Sequence, residues 1–210
     1  MLGRYVPGDG PSKAEWMCIA EAPGAQEDKF GVPLIGPTGK LLRQTLMPLA
    51  GVNEGETYFT NVFKQRPPNN RKPTKLEIVR ALPELLSEIE CVDPRVIILL
   101  GDTAIQVFFP GEPVGMVHGF PRERDGRMFV PMYHPAACMH NPNLRSVIER
   151  DWRELPNKLY RGIQNAPTTV GLGEHPSIEA SFMAVDTETI SLEDRRLIGV
   201  SISVSPHEAA

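Results

Sequence analysis

Arg95-Val96-Ile97-Ile98-Leu99-Leu100, with Gly101 behind it, is the stretch on which the fold turns. Five consecutive aliphatic residues without alternation leave no wet face, so the run reads as a central strand of a parallel sheet, covered on both sides. It is far too short to span a bilayer, which takes about 20 apolar residues. Outward from it, Gly101 to Phe109 has helical spacing. Lys75 to Glu90 is a helix with Ile78, Leu82, Leu85, Leu86 and Ile89 as its apolar positions, and Pro83 is expected to kink or restart it. Trp16 to Glu21 and Thr57 to Phe63 are two further strands. Between them, Gly39 to Ala50 puts Leu42, Leu46 and Leu49 on one helical face. Met128 to Met132 is a fourth strand running into Tyr133-His134-Pro135, and Asn143 to Leu159 closes the unit as an amphipathic helix. Strands alternating with helices predict an α/β fold, three-layer αβα, around a central, mostly parallel four-stranded sheet.

The 210 residues suffice for one domain of ordinary size and a remainder. We expect residues 1–161 to form the domain and residues 162–181, rich in Gly, Pro, Thr, Asn and Ser, to be a linker. Residues 182–210 then hold a β-hairpin, from Met183 to Asp186 and from Leu197 to Val204, too short to fold as an α/β domain alone. The charge divides in the same way. Up to Asn165 there are 20 Lys+Arg against 19 Asp+Glu, and beyond it 2 against 7. No targeting segment stands out near Met1, so a soluble cytoplasmic protein is expected. Cys18, Cys91 and Cys138 form no CxxC pair and have no His at ligand spacing; they read as small apolar core residues.

Ligands of open α/β sheets bind where strands end, and the chemically able residues lie there. After the first strand comes Glu21-Ala22-Pro23-Gly24-Ala25-Gln26-Glu27, then a loop with Gly31, Leu34, Gly36 and Gly39. Glycines there let backbone N–H groups approach a ligand. The second strand ends at Asn61 and the fourth runs into His134. Each has a plainer use: Glu21 as a strand-end acid, Asn61 in an Asx turn, His134 as a structural histidine, Glu27 as a surface acid paired with Lys29 or Lys40. Lys64, Arg66, Arg71, Lys72 and Lys75 follow one another with no acid between them, in a loop that either tracks a phosphate backbone or is simply solvated.

The segments AEAPGAQEDKFGVPLIGPTGKLL, TNVFKQRPPNNRKP, RVIILLG and YHPAA, in this order, resemble the motif series of the uracil-DNA glycosylase superfamily, closest to its family-4 branch, over about Trp16 to Trp152. The resemblance implies hydrolysis of the N-glycosidic bond of a flipped-out uracil in DNA. Glu21 would orient the attacking water or stabilise the sugar cation, and His134 would stabilise the oxyanion at uracil O2. Asn61 would pair with the base edge, within a pocket that includes Ala22, Pro23, Gly24, Glu27 and Leu34. Asn141 to Arg145 would be the element that holds the place of the extruded base. Two departures stand out. Gln65 and Leu82 occupy positions of iron-sulfur cysteines, and the N-terminal pair is missing, so a domain without a cluster is expected. Leu34 stands where the family stacks a phenylalanine on uracil.

Ala184-Val185-Asp186-Thr187-Glu188-Thr189 resembles the first motif of polymerase-attached 3′-5′ exonucleases, an RNase H-like fold in which Asp186 and Glu188 would bind divalent metal ions. The remaining ligands would lie beyond Ala210, so the expected setting is the N-terminal part of a phage-type family-A DNA polymerase. Expected partners are DNA and downstream exonuclease and polymerase domains, with the chain a monomer, away from membranes, in the cytoplasm of the host if phage-encoded. Against the enzyme stands a weakly catalytic DNA-binding module, which Leu34 favours. A small-molecule nucleotide enzyme would need a GxGxxG or GxxxxGK[ST] signature that the chain lacks.

Overall fold

The computed structural model describes residues 2–164 and the backbone of two strands, Ala184–Thr189 and Leu197–Ser203, with side chains as far as Tyr160. Contacts divide the chain into two units, Met1–Gln164 and Asn165–Ala210. In the first unit, β1 (Trp16–Ala20), β2 (Thr57–Asn61), β3 (Val96–Leu100), β4 (Arg122–Arg124) and β5 (Arg127–Met132) form one sheet in the order β2-β1-β3-β5-β4. All pairings are parallel except β4 with β5. The sheet thus has five strands where four were expected. The extra one is made by a hairpin whose tip, Asp125-Gly126, takes positive φ at both residues, the conformation that a two-residue type I′ turn demands and Asp-Gly supplies.

The helices are α1 (Ala25–Phe30), α2 (Pro37–Leu41), α3 (Met47–Leu49), α4 (Lys75–Val92), α5 (Asp102–Phe108), α6 (Val114–Val117), α7 (Ala137–His140) and α8 (Leu144–Gln164). A π-helical turn, Leu42–Leu46, joins α2 to α3. Pro83 neither stops nor restarts α4. It is on the exposed side, while Leu85, Ile89 and Val92 hold the helix to the sheet; tertiary packing of that face outweighs one forfeited backbone bond. The helix opens with a capping box, in which Thr74 accepts from the Glu77 N–H and Glu77 accepts from the Thr74 N–H.

Side-chain alternation along each strand sorts the core into two layers. Cys18, Ala20, Ile98, Leu100, Val130 and Met132 face Leu42, Leu46 and Met47, together with Ile148, Trp152 and Leu155 of α8. Met17, Ile19, Ile97, Leu99 and Phe129 face α4 and the Ala104, Ile105 and Phe108 side chains of α5. All five residues of β3 are buried, so truncating Ile97 or Leu99 to Ala should cost about 2–5 kcal/mol. The free edge of β2 is covered by the N-terminal segment, where Asp9 and Phe59 exchange both backbone hydrogen bonds and Val6 N donates to Lys64 O. Of the cysteines, Cys18 is in the core as expected, but Cys91 is exposed near the end of α4 and Cys138 only half-buried.

In the second unit, β6 (Ala184–Thr189) pairs antiparallel with β7 (Leu197–Ser203), setting Asp186 opposite Ser201 and Glu188 opposite Gly199. The side chains of Asp186 and Glu188 lie outside the described residues. Residues 162–164, expected in the linker, continue α8; the rest of that segment lies outside the described residues.

Candidate active site

Parallel pairing sets Ala20 beside Asn61 and Leu100 beside Met132. The residues just past β1, β3 and β5 therefore emerge at one edge of the sheet together with Asn61. The cavity there, about 320 Å³, is lined by Glu21, Ala22, Pro23, Gly24, Glu27, Leu34 and Asn61, with His134. Thr38, Pro67, Asn70, Arg71 and Ala136 complete it. Every base-pocket residue expected from the sequence is thus brought together.

Glu27 is the fastener of the glycine-rich loops. Its carboxylate is buried and accepts from three backbone donors, Gly24 N at 3.1 Å, Ile35 N at 3.0 Å and Gly36 N at 2.7 Å. It is therefore not a surface acid paired with Lys29 or Lys40. A Cβ at Gly24 would come within 2.8 Å of its carboxylate, so the glycine is what lets the loop close on the acid. Next to it Leu34 is buried with φ of 54°, a left-handed conformation that costs a non-glycine residue roughly 1–2 kcal/mol. Arg43 holds it there: Nε donates to Leu34 O and Nη2 to Pro33 O, both at 3.0 Å, while the guanidinium stacks 3.6 Å from the centre of the Phe59 ring. Gly39 completes the clamp, since a Cβ at that position would stand 1.9 Å from Leu34 O.

Asn61 closes β2 and is buried, and its Nδ2 has no hydrogen-bond partner. An unpaired buried donor is costly, about 1–3 kcal/mol, and this one belongs to a residue lining the cavity. Its backbone is held by Lys64, whose Nζ donates to Asn61 O at 2.9 Å and also contacts Thr60 Oγ1 and Glu88. Lys64 is buried and ion-paired with Glu88 of α4. Burial pulls its pKa down, and the Glu88 carboxylate opposes that. The expectation that Lys64 meets DNA phosphates is overturned: the ammonium faces inward and fixes the strand end that carries Asn61.

His134 is a neutral imidazole at working pH. Burial lowers its pKa to about 4, against the opposing pull of the Glu27 charge. Ala136 N lies 3.1 Å from His134 Nδ1; a backbone N–H can only donate, so Nδ1 accepts and Nε2 carries the proton. Gly101, at φ of 86°, is the close approach that seats the ring, for a Cβ there would be 3.1 Å from His134 Cβ. Glu21, across the cavity, receives a hydrogen bond on Oε2 from Thr103 of α5. Its chemistry is thus a carboxylate, a neutral N–H donor and an amide around one small hollow.

The remaining basic residues are distributed unevenly. Arg71 forms a two-pronged pair with Glu77, at 2.8 and 2.7 Å, and Arg66 Nε donates to Asn70 at 2.7 Å. Lys72 and Lys75 are exposed, and Lys72 lines a second, larger cavity of about 590 Å³ beside the first. Asn141 accepts from Asn143 N, and Arg145 pairs with Glu149 one helical turn on. Both stand on the surface, outside the two cavities. Sequence reading missed Arg43, Thr103, Gly101, Thr38, Pro67, Asn70 and Ala136. Thr38, Pro67, Asn70, Gly101 and Ala136 lie within the motif segments but were not singled out, whereas Arg43 and Thr103 fall just outside them, and the Gly101-Asp102-Thr103 strand end was a signal that could have found Thr103.

Gln65, where the resemblance would place a cluster cysteine, is engaged otherwise. Gln65 Nε2 donates to Gly3 O at 3.2 Å, and Tyr5 OH contacts Glu84 beside it. Cys18, Cys91 and Cys138 sit on β1, α4 and α7, and among the described residues no group of three or more His, Cys, Asp or Glu side chains is placed to hold a metal ion.

Residues 7–156 match the family profile described as the Uracil DNA glycosylase superfamily. The chain is 40% identical over 160 residues to the "Type-4 uracil-DNA glycosylase" of Sulfurisphaera tokodaii, covering 71% of this chain and 72% of that protein. It is 40% identical over 163 residues to the protein of the same name from Saccharolobus solfataricus, covering 73% and 76%. A "DNA polymerase" of Bacillus phage SP01 is 30% identical over 154 residues, 73% of this chain but 17% of that protein. With the family profile matched over residues 7–156 and 40% identity to two proteins of that type, the chain belongs to the uracil-DNA glycosylase superfamily.

Proposed function

We propose that this protein is a uracil-DNA glycosylase, hydrolysing the N-glycosidic bond of a uracil flipped out of DNA. The observation that carries the reading is the unpartnered Nδ2 of Asn61 at a cavity that also holds Glu21 and a neutral His134. Uracil offers an amide the match to its own edge: Asn61 Nδ2 donates to O4 and Oδ1 accepts from N3–H, which satisfies the orphan donor. His134 Nε2–H then donates to O2. As the bond from C1′ to N1 breaks, its electron pair stays on the base and spreads to O2, where the donor is worth most. Water adds its oxygen to C1′ and gives up a proton to the Glu21 carboxylate, whose charge also opposes the positive charge on the sugar, and the uracil anion takes up a proton from solvent as it leaves. The products are uracil and an abasic site.

Leu34 supports a second reading, a DNA-binding module with weak excision, because an aliphatic side chain covers the base with less stacking than an aromatic ring. One assay separates the two. The protein is incubated with an oligonucleotide carrying a single uracil, and abasic sites are cleaved with alkali. Strand cleavage at the uracil supports the enzyme; binding without cleavage supports the module.

The match to a phage polymerase and the DTET segment support a longer polypeptide in which Asp186 and Glu188 begin a 3′-5′ exonuclease and bind divalent metal there. The partners are then DNA and those downstream domains, with the protein monomeric and cytoplasmic, in a host cytoplasm if phage-encoded. Reading the gene beyond codon 210 tests this, the expected outcome being further acidic metal ligands followed by a polymerase domain.

A further inference from the structure

We infer that Thr103 is a positioning residue for excision, holding the Glu21 carboxylate in the orientation that serves the attacking water. This rests on the glycosylase reading above. Thr103 and Glu21 are 82 positions apart, joined by one hydrogen bond, in which Thr103 Oγ1 donates to Glu21 Oε2. An ionised carboxylate has no proton to give, so the direction is fixed. This is the sole hydrogen bond of either side chain among the described residues, and it leaves Glu21 Oε1 free to accept from water.

Glu21 and Thr103 stand at the rims of the two cavities. Glu21 lines both of them, whereas Thr103 lines only the larger. Thr103 is itself firmly based. The sharp turn at Gly101 leads from β3 into α5, Gly101 N donates to Met132 O at 2.9 Å, and the neighbours Ala104 and Ile105 are fully buried. Glu21, by contrast, stands on the loop after β1 with three side-chain torsions of its own. Anchoring a loop-borne acid to a helix by one of its two oxygens preorganises it before substrate arrives. Helix capping does not account for the hydroxyl, because the N-cap position of α5 is Gly101 and not Thr103.

The test is single-turnover excision on the uracil oligonucleotide, read as the rate at saturating enzyme and the enzyme concentration giving half that rate. Thr103→Val and Thr103→Ala share only the loss of the hydroxyl, and Thr103→Ser keeps it. Misplacing a catalytic group by about 1 Å costs on the order of 100-fold. The expected result is a fall of roughly 10- to 100-fold in the saturating rate for Val and Ala, with Ser within about 3-fold of wild type. The half-saturating concentration should be unchanged in all three. Should Val fail to fold, Ala against Ser carries the comparison. Wild-type rates in Val or Ala, a Ser variant as slow as Ala, or losses confined to the half-saturating concentration would each overturn the assignment while leaving the glycosylase reading intact. A wild type that cleaves nothing overturns both.

Discussion

The Ala136 N–H that donates to His134 Nδ1 at 3.1 Å fixes the tautomer of that ring, and burial sets its pH behaviour. Only the neutral ring can accept that bond while offering Nε2–H to the base. With the folded pKa near 4 and an ordinary histidine at 6.5, the unfolded chain binds the extra proton first as pH falls. The stability contributed by neutral His134 is therefore complete above about pH 6.5 and declines as pH drops through 6.5 towards 4. Excision, which uses the folded ring, should stay level down to about pH 5 and fall only near pH 4. A pH–rate profile with its acid limb near 6.5 would contradict this. His134→Ala should slow excision by roughly 100- to 1000-fold while DNA affinity changes little.

Asn61 should separate recognition from chemistry in the opposite sense. Asn61→Asp replaces the Nδ2 donor with an acceptor facing uracil O4, so both base binding and rate should drop. Equilibrium binding to uracil-containing and uracil-free duplexes measures the first, since the preference for uracil should vanish. A variant that keeps the preference would remove Asn61 from base recognition.

Leu34→Phe tests the platform. An aromatic ring over the base is worth about 1–3 kcal/mol, so excision should rise by roughly 5- to 150-fold if Leu34 limits it. Gly39→Ala is the counterpart: a Cβ at 1.9 Å from Leu34 O cannot be accommodated without moving that backbone. Both the thermal midpoint and the excision rate should fall, and a Gly39→Ala protein indistinguishable from wild type would show that the loop is not held as described.

Lys64 and its neighbours in sequence should respond differently to salt. Replacing Lys72 and Lys75 with Ala should lower the slope of log affinity against log salt by about 1–2. Lys64→Met should leave that slope unchanged but destabilise the fold by roughly 3 kcal/mol, because it strands Glu88 and the end of β2. Chemical denaturation and a salt titration of DNA binding, run on the same variants, check both halves.

Much of this molecule is legible along the chain. The unbroken aliphatic run of β3 announces a buried parallel strand, since no other placement hides five large apolar side chains in a row. Strand ends carrying Glu21, Asn61 and His134 announce a site, because parallel strands deliver their ends to one edge. These properties are local, set by periodicity and by the direction in which a strand runs. The extra strand β4 was legible too, in Asp125-Gly126, but its three residues are short and charged and lack the apolar pattern that marks the others.

What tertiary structure alone decided is how side chains far apart in sequence divide the available hydrogen bonds. In sequence Lys64 is one of five cations in a polar loop. Folding brings Glu88 of α4 beside it and buries the ammonium, because an ion pair with backbone and hydroxyl acceptors offsets its desolvation. Glu27 is an acid among lysines until the loop folds back and offers it three backbone N–H groups in place of a cation. Motif and spacing determined which residues reach the pocket. Their protonation, their tautomer and the oxygen left free on Glu21 followed from burial and from partners up to 82 positions away, which no local pattern encodes.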